Sequence, residues 1–195
     1  MNLPNKLTIG RLILTAIFVA VVSIEAIPQR YSIGLVLFGI AAFTDFLDGY
    51  LARKHGLITN FGKLMDPLAD KVLMCSAFVI LARHGQIPAW VVIALLSREF
   101  LVTGLRLLAT SQGRVLAADS WGKLKTFLQI VLAIYLLLFL ASSEAAFEFT
   151  KPLFSNQWTS PELLGVILIA TTALVTIFSG IGYMIRNSDL FRGLD

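Results

Sequence analysis

Residues 45–70 read DFLDGYLARKHGLITNFGKLMDPLAD, a stretch that places Asp45, Asp48, Asp66 and Asp70 inside an otherwise strongly apolar chain. Of the 195 residues, 57% are hydrophobic and only 14% charged, where a soluble domain carries roughly 25% charged residues. The mean hydropathy is +0.81. Hydrocarbon is a poor solvent for carboxylates, so something must compensate for these four.

Outward from this stretch, apolar runs recur in both directions, several near the roughly 20 residues that a bilayer crossing needs. Six spans are predicted, at about 7–27, 31–52, 64–83, 88–110, 122–143 and 161–185. They are broken at Pro28, at a 53–63 loop, at His84-Gly85 before Pro88, at Ser111–Gly113 and across 144–160. The expected fold is an all-α, polytopic membrane protein with one six-helix transmembrane domain over residues 1–195. Met1–Lys6 leads directly into an apolar run with no small-residue cleavage site, so the first helix is expected to stay. With six spans, Arg53, Lys54, Lys63, Arg114, Lys123, Lys125, Arg186 and Arg192 fall on the side of Lys6, opposite only Arg30, Arg83 and Lys151. The positive-inside rule then predicts a cytoplasmic (inner) membrane location with both termini cytoplasmic. The same loops account for the pI near 9.4 without a nucleic-acid partner. The single cysteine, Cys75, cannot form an internal disulfide and is expected to be a small buried hydrophobe.

On this topology Asp45 and Asp48 fall in the cytoplasmic half of the second span, and Asp66 and Asp70 in that of the third. Spacings of three and four put each pair on one helical face, so all four can converge just below the cytoplasmic surface. Salt bridges to Arg53, Lys54, Lys63 and Lys71 are one way to neutralise them, but basic chains there would rather snorkel to the interface. Oxygen ligands without a nearby Cys or His select a hard cation, Mg²⁺ or Mn²⁺. His55 reads as a solvated loop residue. Two such ions can clamp a phosphoryl group between attacking and leaving oxygens. Gly49 removes a side chain where a diphosphate must approach, Ala52 keeps the surface shallow, and Arg53 offers a planar fork for phosphate. Gly62 relieves crowding at the entry to the third span, and Pro67 suits a first helical turn.

The spacing Asp45-x2-Asp48-Gly49-x2-Ala52-Arg53-x8-Gly62-x3-Asp66-x3-Asp70 resembles, position for position, the signature of the CDP-alcohol phosphatidyltransferase family. The resemblance implies a six-helix membrane domain, usually a homodimer, that displaces CMP from a CDP-linked lipid with a second alcohol. It implies a two-metal site on Asp45, Asp48, Asp66 and Asp70, with Asp70 also the general base. Gly49, Ala52 and Arg53 would line the CDP pocket.

Three further features resemble the phosphatidylglycerophosphate synthase branch. The opening Leu3-Pro4-Asn5-Lys6-Leu7-Thr8-Ile9-Gly10-Arg11 would turn Asn5, Thr8 and Arg11 toward the nucleotide; the alternative is an interfacial helix start capped by Thr8. The fourth span carries Ser97-Arg98-Glu99 and Gly104-Leu105-Arg106, and the fifth opens on Gly122-Lys123-Leu124-Lys125-Thr126. Charged residues deep in an apolar helix are costly and point to function. Arg98 and Arg106 lie roughly 12 Å apart along the helix and some 80° around it, so both can reach one cavity, with Glu99 orienting a guanidinium. With Lys123 and Lys125 they would form a cationic pocket for the phosphate of an acceptor such as sn-glycerol 3-phosphate. The alternative for the lysines is a role as topology anchors only. The implied reaction transfers the phosphatidyl group of CDP-diacylglycerol to sn-glycerol 3-phosphate, giving phosphatidylglycerophosphate and CMP. Inositol phosphate, or phosphatidylglycerol as in cardiolipin synthesis, remains open as acceptor. The rival of a different class is a cation carrier, which calls for inverted repeats that this sequence lacks. Residues after about 126 match no motif and read as packing.

Overall fold

The computed structural model describes residues 3–55, 60–114, 116 and 120–191, with the side chains of 3–4, 45–55, 60–64, 66–67, 120 and 191 outside the description. Among the described residues there are helices and turns and no strand. Six long helices dominate: α1 (Leu3–Ser23), α2 (Arg30–His55), α3 (Asn60–Arg83), α4 (Ala89–Ser111), α5 (Ser120–Ala141) and α7 (Val166–Arg186). Between α5 and α7 lie a 3₁₀ turn, Ala145–Thr150, the short helix α6 (Lys151–Ser155) and a π-type turn, Pro161–Gly165, that runs into α7. Each long helix overlaps a span expected from the sequence. Three segments are long and apolar enough to cross a membrane on those grounds alone: Asn5–Ser23, Trp121–Ala141 and Pro161–Arg186. The apolar part of α2 is the shorter Arg30–Thr44, and α4 is interrupted by Arg98, Glu99 and Arg106.

The boundaries follow local chemistry. Gly85 (φ +71°) and Gly113 (φ +72°) adopt the left-handed conformation that only glycine takes without strain. Each closes its helix in a Schellman pattern: Gly85 N–H donates to Ala82 O and Gln86 N–H to Leu81 O, while Gly113 N–H donates to Thr110 O and Arg114 N–H to Ala109 O. The loop expected over 53–63 is shorter than the sequence suggested, because α2 continues through His55 and α3 starts at Asn60. Arg53 and Lys54 are good helix formers, so the helix has no local reason to stop where hydropathy falls. Position 55 is therefore helical rather than in a loop, and its side chain lies outside the description. Thr8 is likewise interior to α1, not a cap.

Helix α1 packs on α2 and α3, α5 on α2, α3 and α7, and α4 on α7 and α3. Lipid tails are as apolar as leucine, so close backbone approach and shape carry helix association in a bilayer. Gly34 makes the α1–α2 contact: a Cβ there would lie 2.4 Å from Val22 Cγ2. Phe18 and Phe38 meet beside it at 6.0 Å between ring centroids. Gly39 faces open space and makes no such contact. Large apolar side chains point outward all round the bundle, among them Phe43, Ile93, Phe100, Phe127 and Phe178, as expected where lipid is the solvent.

The end of the bundle away from the 45–70 stretch is held by a carboxylate. Glu144 Oε1 accepts the Tyr31 N–H (3.0 Å), and Oε2 accepts the Ser32 N–H (2.7 Å) and hydroxyl (2.6 Å). It thereby satisfies the orphan donors of the α2 N-terminus and complements the helix dipole. Beside it Arg30 donates to the Tyr31 hydroxyl (2.9 Å), which lies 3.3 Å from His84 Nδ1. Burial, then Arg30 and Arg83, hold the His84 imidazole below its ordinary pKa. The lowered pKa favours the neutral imidazole, which shares a hydrogen bond between Nδ1 and the Tyr31 hydroxyl and meets the Tyr31 ring edge to face.

Candidate active site

Helices α3, α4, α5 and α7 enclose a cleft of about 560 Å³. Its walls carry Asp70 and Lys71 from α3, Arg98, Glu99 and Arg106 from α4, Lys123, Lys125 and Thr126 from α5, and Tyr183 from α7. The topology explains the convergence. Asp70 lies in the first half of α3, Lys123 and Lys125 open α5, and Arg98 and Arg106 sit near the middle and in the second half of α4. All three segments lie at the same end of an antiparallel bundle. Five residues singled out from the sequence, Asp70, Arg98, Arg106, Lys123 and Lys125, thus share one cavity.

The cationic side chains are not loose. Lys125, only 5% exposed, is ion-paired with Glu99 Oε1. The same oxygen lies 3.5 Å from Arg98 Nη1, with the Arg98 and Glu99 side chains 10% and 17% exposed. Arg98 Nη2 donates to Ser179 Oγ at 2.7 Å. Arg106 Nε donates to the Tyr183 hydroxyl at 3.2 Å, and its guanidinium lies 5.7 Å from the centre of that ring. Lys123 is exposed on the rim. Glu99, expected to orient a guanidinium, does contact Arg98 but is also paired with Lys125, and the arginines donate their shorter hydrogen bonds to hydroxyls on α7. The reason is proximity in the fold: α4 packs against α7.

Behind the cleft a smaller cavity, about 20 Å³, is bounded by Asp70, Cys75, Glu99, Lys125 and Gln129 among others. It has room for about one water. Cys75 is half-buried on its wall, not fully enclosed as the sequence suggested.

The remaining sequence-derived residues divide in two. Asn5 (8% exposed), Thr8 and Arg11 (both 0%) are buried, and with Thr15, whose hydroxyl donates to Arg11 O at 2.8 Å, they form a polar stripe on the inward face of α1. They do not line the cleft. Asp45, Asp48, Gly49, Ala52, Arg53 and Asp66 have side chains outside the described residues. Their backbones place positions 45–53 in the last turns of α2 and position 66 in the first turns of α3, one helical turn before Asp70. Among the described residues no three metal-ligating side chains cluster.

Sequence reading missed Ser179 and Tyr183. Both are nearly inaccessible, at 2% and 3%, and lie far along the chain from the arginines that they bind. The available signal was the run Thr172, Thr176, Ser179, Tyr183, a three-to-four spacing of hydroxyls down one face of an apolar helix.

The sequence model of the CDP-alcohol phosphatidyltransferase family matches residues 1–178. A CDP-diacylglycerol–glycerol-3-phosphate 3-phosphatidyltransferase of Bacillus subtilis (strain 168) is 48% identical over 148 residues, covering 70% of this chain and 77% of the relative. A protein of the same name from Rickettsia bellii is 34% identical over 182 residues, 93% of each chain. A probable phosphatidylglycerophosphate synthase of Mycobacterium tuberculosis (strain ATCC 25618 / H37Rv) is 35% identical over 187 residues, 95% of this chain and 81% of the relative. With the motif, the all-helical fold and these matches in agreement, the chain belongs to the CDP-alcohol phosphatidyltransferase family.

Proposed function

We propose that this chain transfers the phosphatidyl group of CDP-diacylglycerol to sn-glycerol 3-phosphate, releasing CMP and forming phosphatidylglycerophosphate. The observation that carries the choice of acceptor is the cleft in which Asp70 shares its walls with Arg98, Arg106, Lys123 and Lys125. A carboxylate beside four cationic side chains suits an alcohol that must lose a proton while its phosphate is held. Relatives that carry the name of this reaction, at 34–48% identity, support the same reading.

In this scheme Arg98, Arg106, Lys123 and Lys125 hold the acceptor phosphate, and Asp70 takes the proton of the C1 hydroxyl. The hydroxyl oxygen bonds to the β-phosphorus as the bond to the bridging oxygen breaks, and CMP leaves. Asn5, Thr8, Arg11, Gly49, Ala52 and Arg53 line the nucleotide site. Asp45, Asp48, Asp66 and Asp70 form an all-oxygen donor set suited to Mg²⁺ or Mn²⁺. The place of Asp70 on the cleft wall, one turn from position 66, supports that assignment. Bound there, a metal pair supplies positive charge against the diphosphate. The six long helices act as one transmembrane domain crossing the cytoplasmic membrane six times, with both termini and the cleft on the cytoplasmic side. Basic residues on the loops and helix ends at that side favour this orientation. The working unit is a homodimer, as the family resemblance implies.

The test is CMP release by purified protein with CDP-diacylglycerol and Mg²⁺, one acceptor at a time. Release with sn-glycerol 3-phosphate alone, abolished by EDTA, is the expected result. Release only with inositol phosphate or phosphatidylglycerol overturns the acceptor and keeps the chemistry. No release with any alcohol overturns the proposal.

A further inference from the structure

Resting on the acceptor pocket proposed above, we infer that Gly180 and Ser179 of α7 are positioning residues for Arg98 and thereby set the enzyme's preference for a phosphorylated acceptor. Neither residue lines the cleft, so neither is placed to touch a substrate there. Both touch Arg98. The Ser179 hydroxyl accepts from Nη2 at 2.7 Å. A Cβ at position 180 would fall 2.9 Å from Arg98 Cγ and 3.7 Å from its Cβ, so only glycine lets the aliphatic stem lie flat on α7. On the other side, a Cβ at Gly122 of α5 would lie 3.7 Å from Nη2. The stem therefore lies against Gly180, and the guanidinium ends near Gly122, on the Ser179 hydroxyl and the Glu99 carboxylate.

This clamp matters because arginine has many rotamers and two competing fates in a cavity: to collapse onto Glu99, or to project a fixed fork toward a phosphate. Glu99 Oε1 is already engaged by Lys125 and lies 3.5 Å from Arg98, so it is a weak tether for the guanidinium. The short bond to Ser179 fixes the plane of the fork, and Gly180 fixes the path of the stem. A bidentate phosphate contact depends on that plane, and displacements near 1 Å in positioning groups cost large factors in rate. The helix that the sequence marked as packing thus carries a specificity device.

The experiment measures initial rates of CMP release by the purified full chain, varying sn-glycerol 3-phosphate and CDP-diacylglycerol separately. Ser179→Ala and Gly180→Ala are each expected to raise KM for sn-glycerol 3-phosphate about tenfold, with KM for CDP-diacylglycerol changed less than about twofold. Ser179→Thr, which keeps the hydroxyl, restores most of the loss. In an Arg98→Ala background neither substitution has a further effect, because the group they position is gone. An equal loss toward both substrates, or effects that persist without Arg98, would reduce the two residues to helix packing and overturn the inference. If Gly180→Ala does not fold, Ser179→Ala and its threonine rescue decide the question alone. Arg98→Ala with an unchanged KM for sn-glycerol 3-phosphate defeats the acceptor-pocket reading and this inference with it. Arg98→Ala with a raised KM but a silent Ser179→Ala defeats the inference only.

Discussion

Two glutamates, at opposite ends of the bundle, do opposite work. Glu144 is surrounded by neutral donors, the N–H groups of Tyr31 and Ser32 and the Ser32 hydroxyl, all at the start of α2. Glu99 faces cations, Lys125 and Arg98, on the wall of an open cleft. The first arrangement uses the carboxylate up: it ties a distant turn to a helix end and leaves nothing to offer a ligand. The second spaces cations apart without covering them, so an incoming anion still finds donors. A carboxylate satisfied by backbone is an anchor, whereas one satisfied by side-chain cations organises a site.

The comparison can be broken in several places. The largest effect is expected at the cleft: Asp70→Asn should lower turnover at least ~10²-fold, with CMP binding followed by calorimetry retained. Loss of CMP binding to the same degree would make Asp70 a ligand first and a base second. Next, Glu99→Gln should raise KM for sn-glycerol 3-phosphate about tenfold, because Lys125 and Arg98 lose the charge that spaces them. A lower KM would mean that Glu99 competes with phosphate instead of arranging its partners. Glu144→Gln should do the reverse, leaving both KM values unchanged and costing about 1–2 kcal/mol of stability in a denaturant titration. If Glu144→Gln altered kinetics, the division between anchor and organiser would fail.

The smallest effect is expected at Arg114 and Asp189, an exposed pair 2.6 Å apart that joins the end of α4 to the turn after α7. The hydrogen bond from Arg114 is the main reason that the Asp189 carboxyl sits below its ordinary pKa. A depressed carboxyl contributes stability above the unfolded-state pKa and loses it as pH falls through the folded one. Arg114→Ala should therefore cost little at neutral pH, since exposed pairs contribute little. Whatever difference from the parent exists should vanish on acidification. A difference that grew as pH fell would reverse the sign and remove Asp189 as its source.

Much of this protein was legible from its residues. Apolar runs, interrupted by glycine and proline, located six helices, because in hydrocarbon only a helix satisfies its own backbone. The spacing of eight allowed Arg98 and Arg106 to reach one cavity, and the structure lines that cavity with both arginines together with Asp70, Lys123 and Lys125. The 45–70 motif carried the family. The extension of α2 to His55 was not legible, since hydropathy marks where a chain leaves lipid and not where its helix stops.

The sequence by itself determined the family and the long apolar helices, because these depend on motif spacing, composition and periods within a single helix. Only the tertiary structure decided who holds whom. Glu99 pairs with Lys125, twenty-six positions on, and Ser179 and Tyr183 hold arginines more than seventy positions away. Gly34 and Gly180 matter for the side chains pressed against them, while Gly39 does not. Such pairings depend on which helix faces turn toward each other, and helix periodicity alone does not encode that choice.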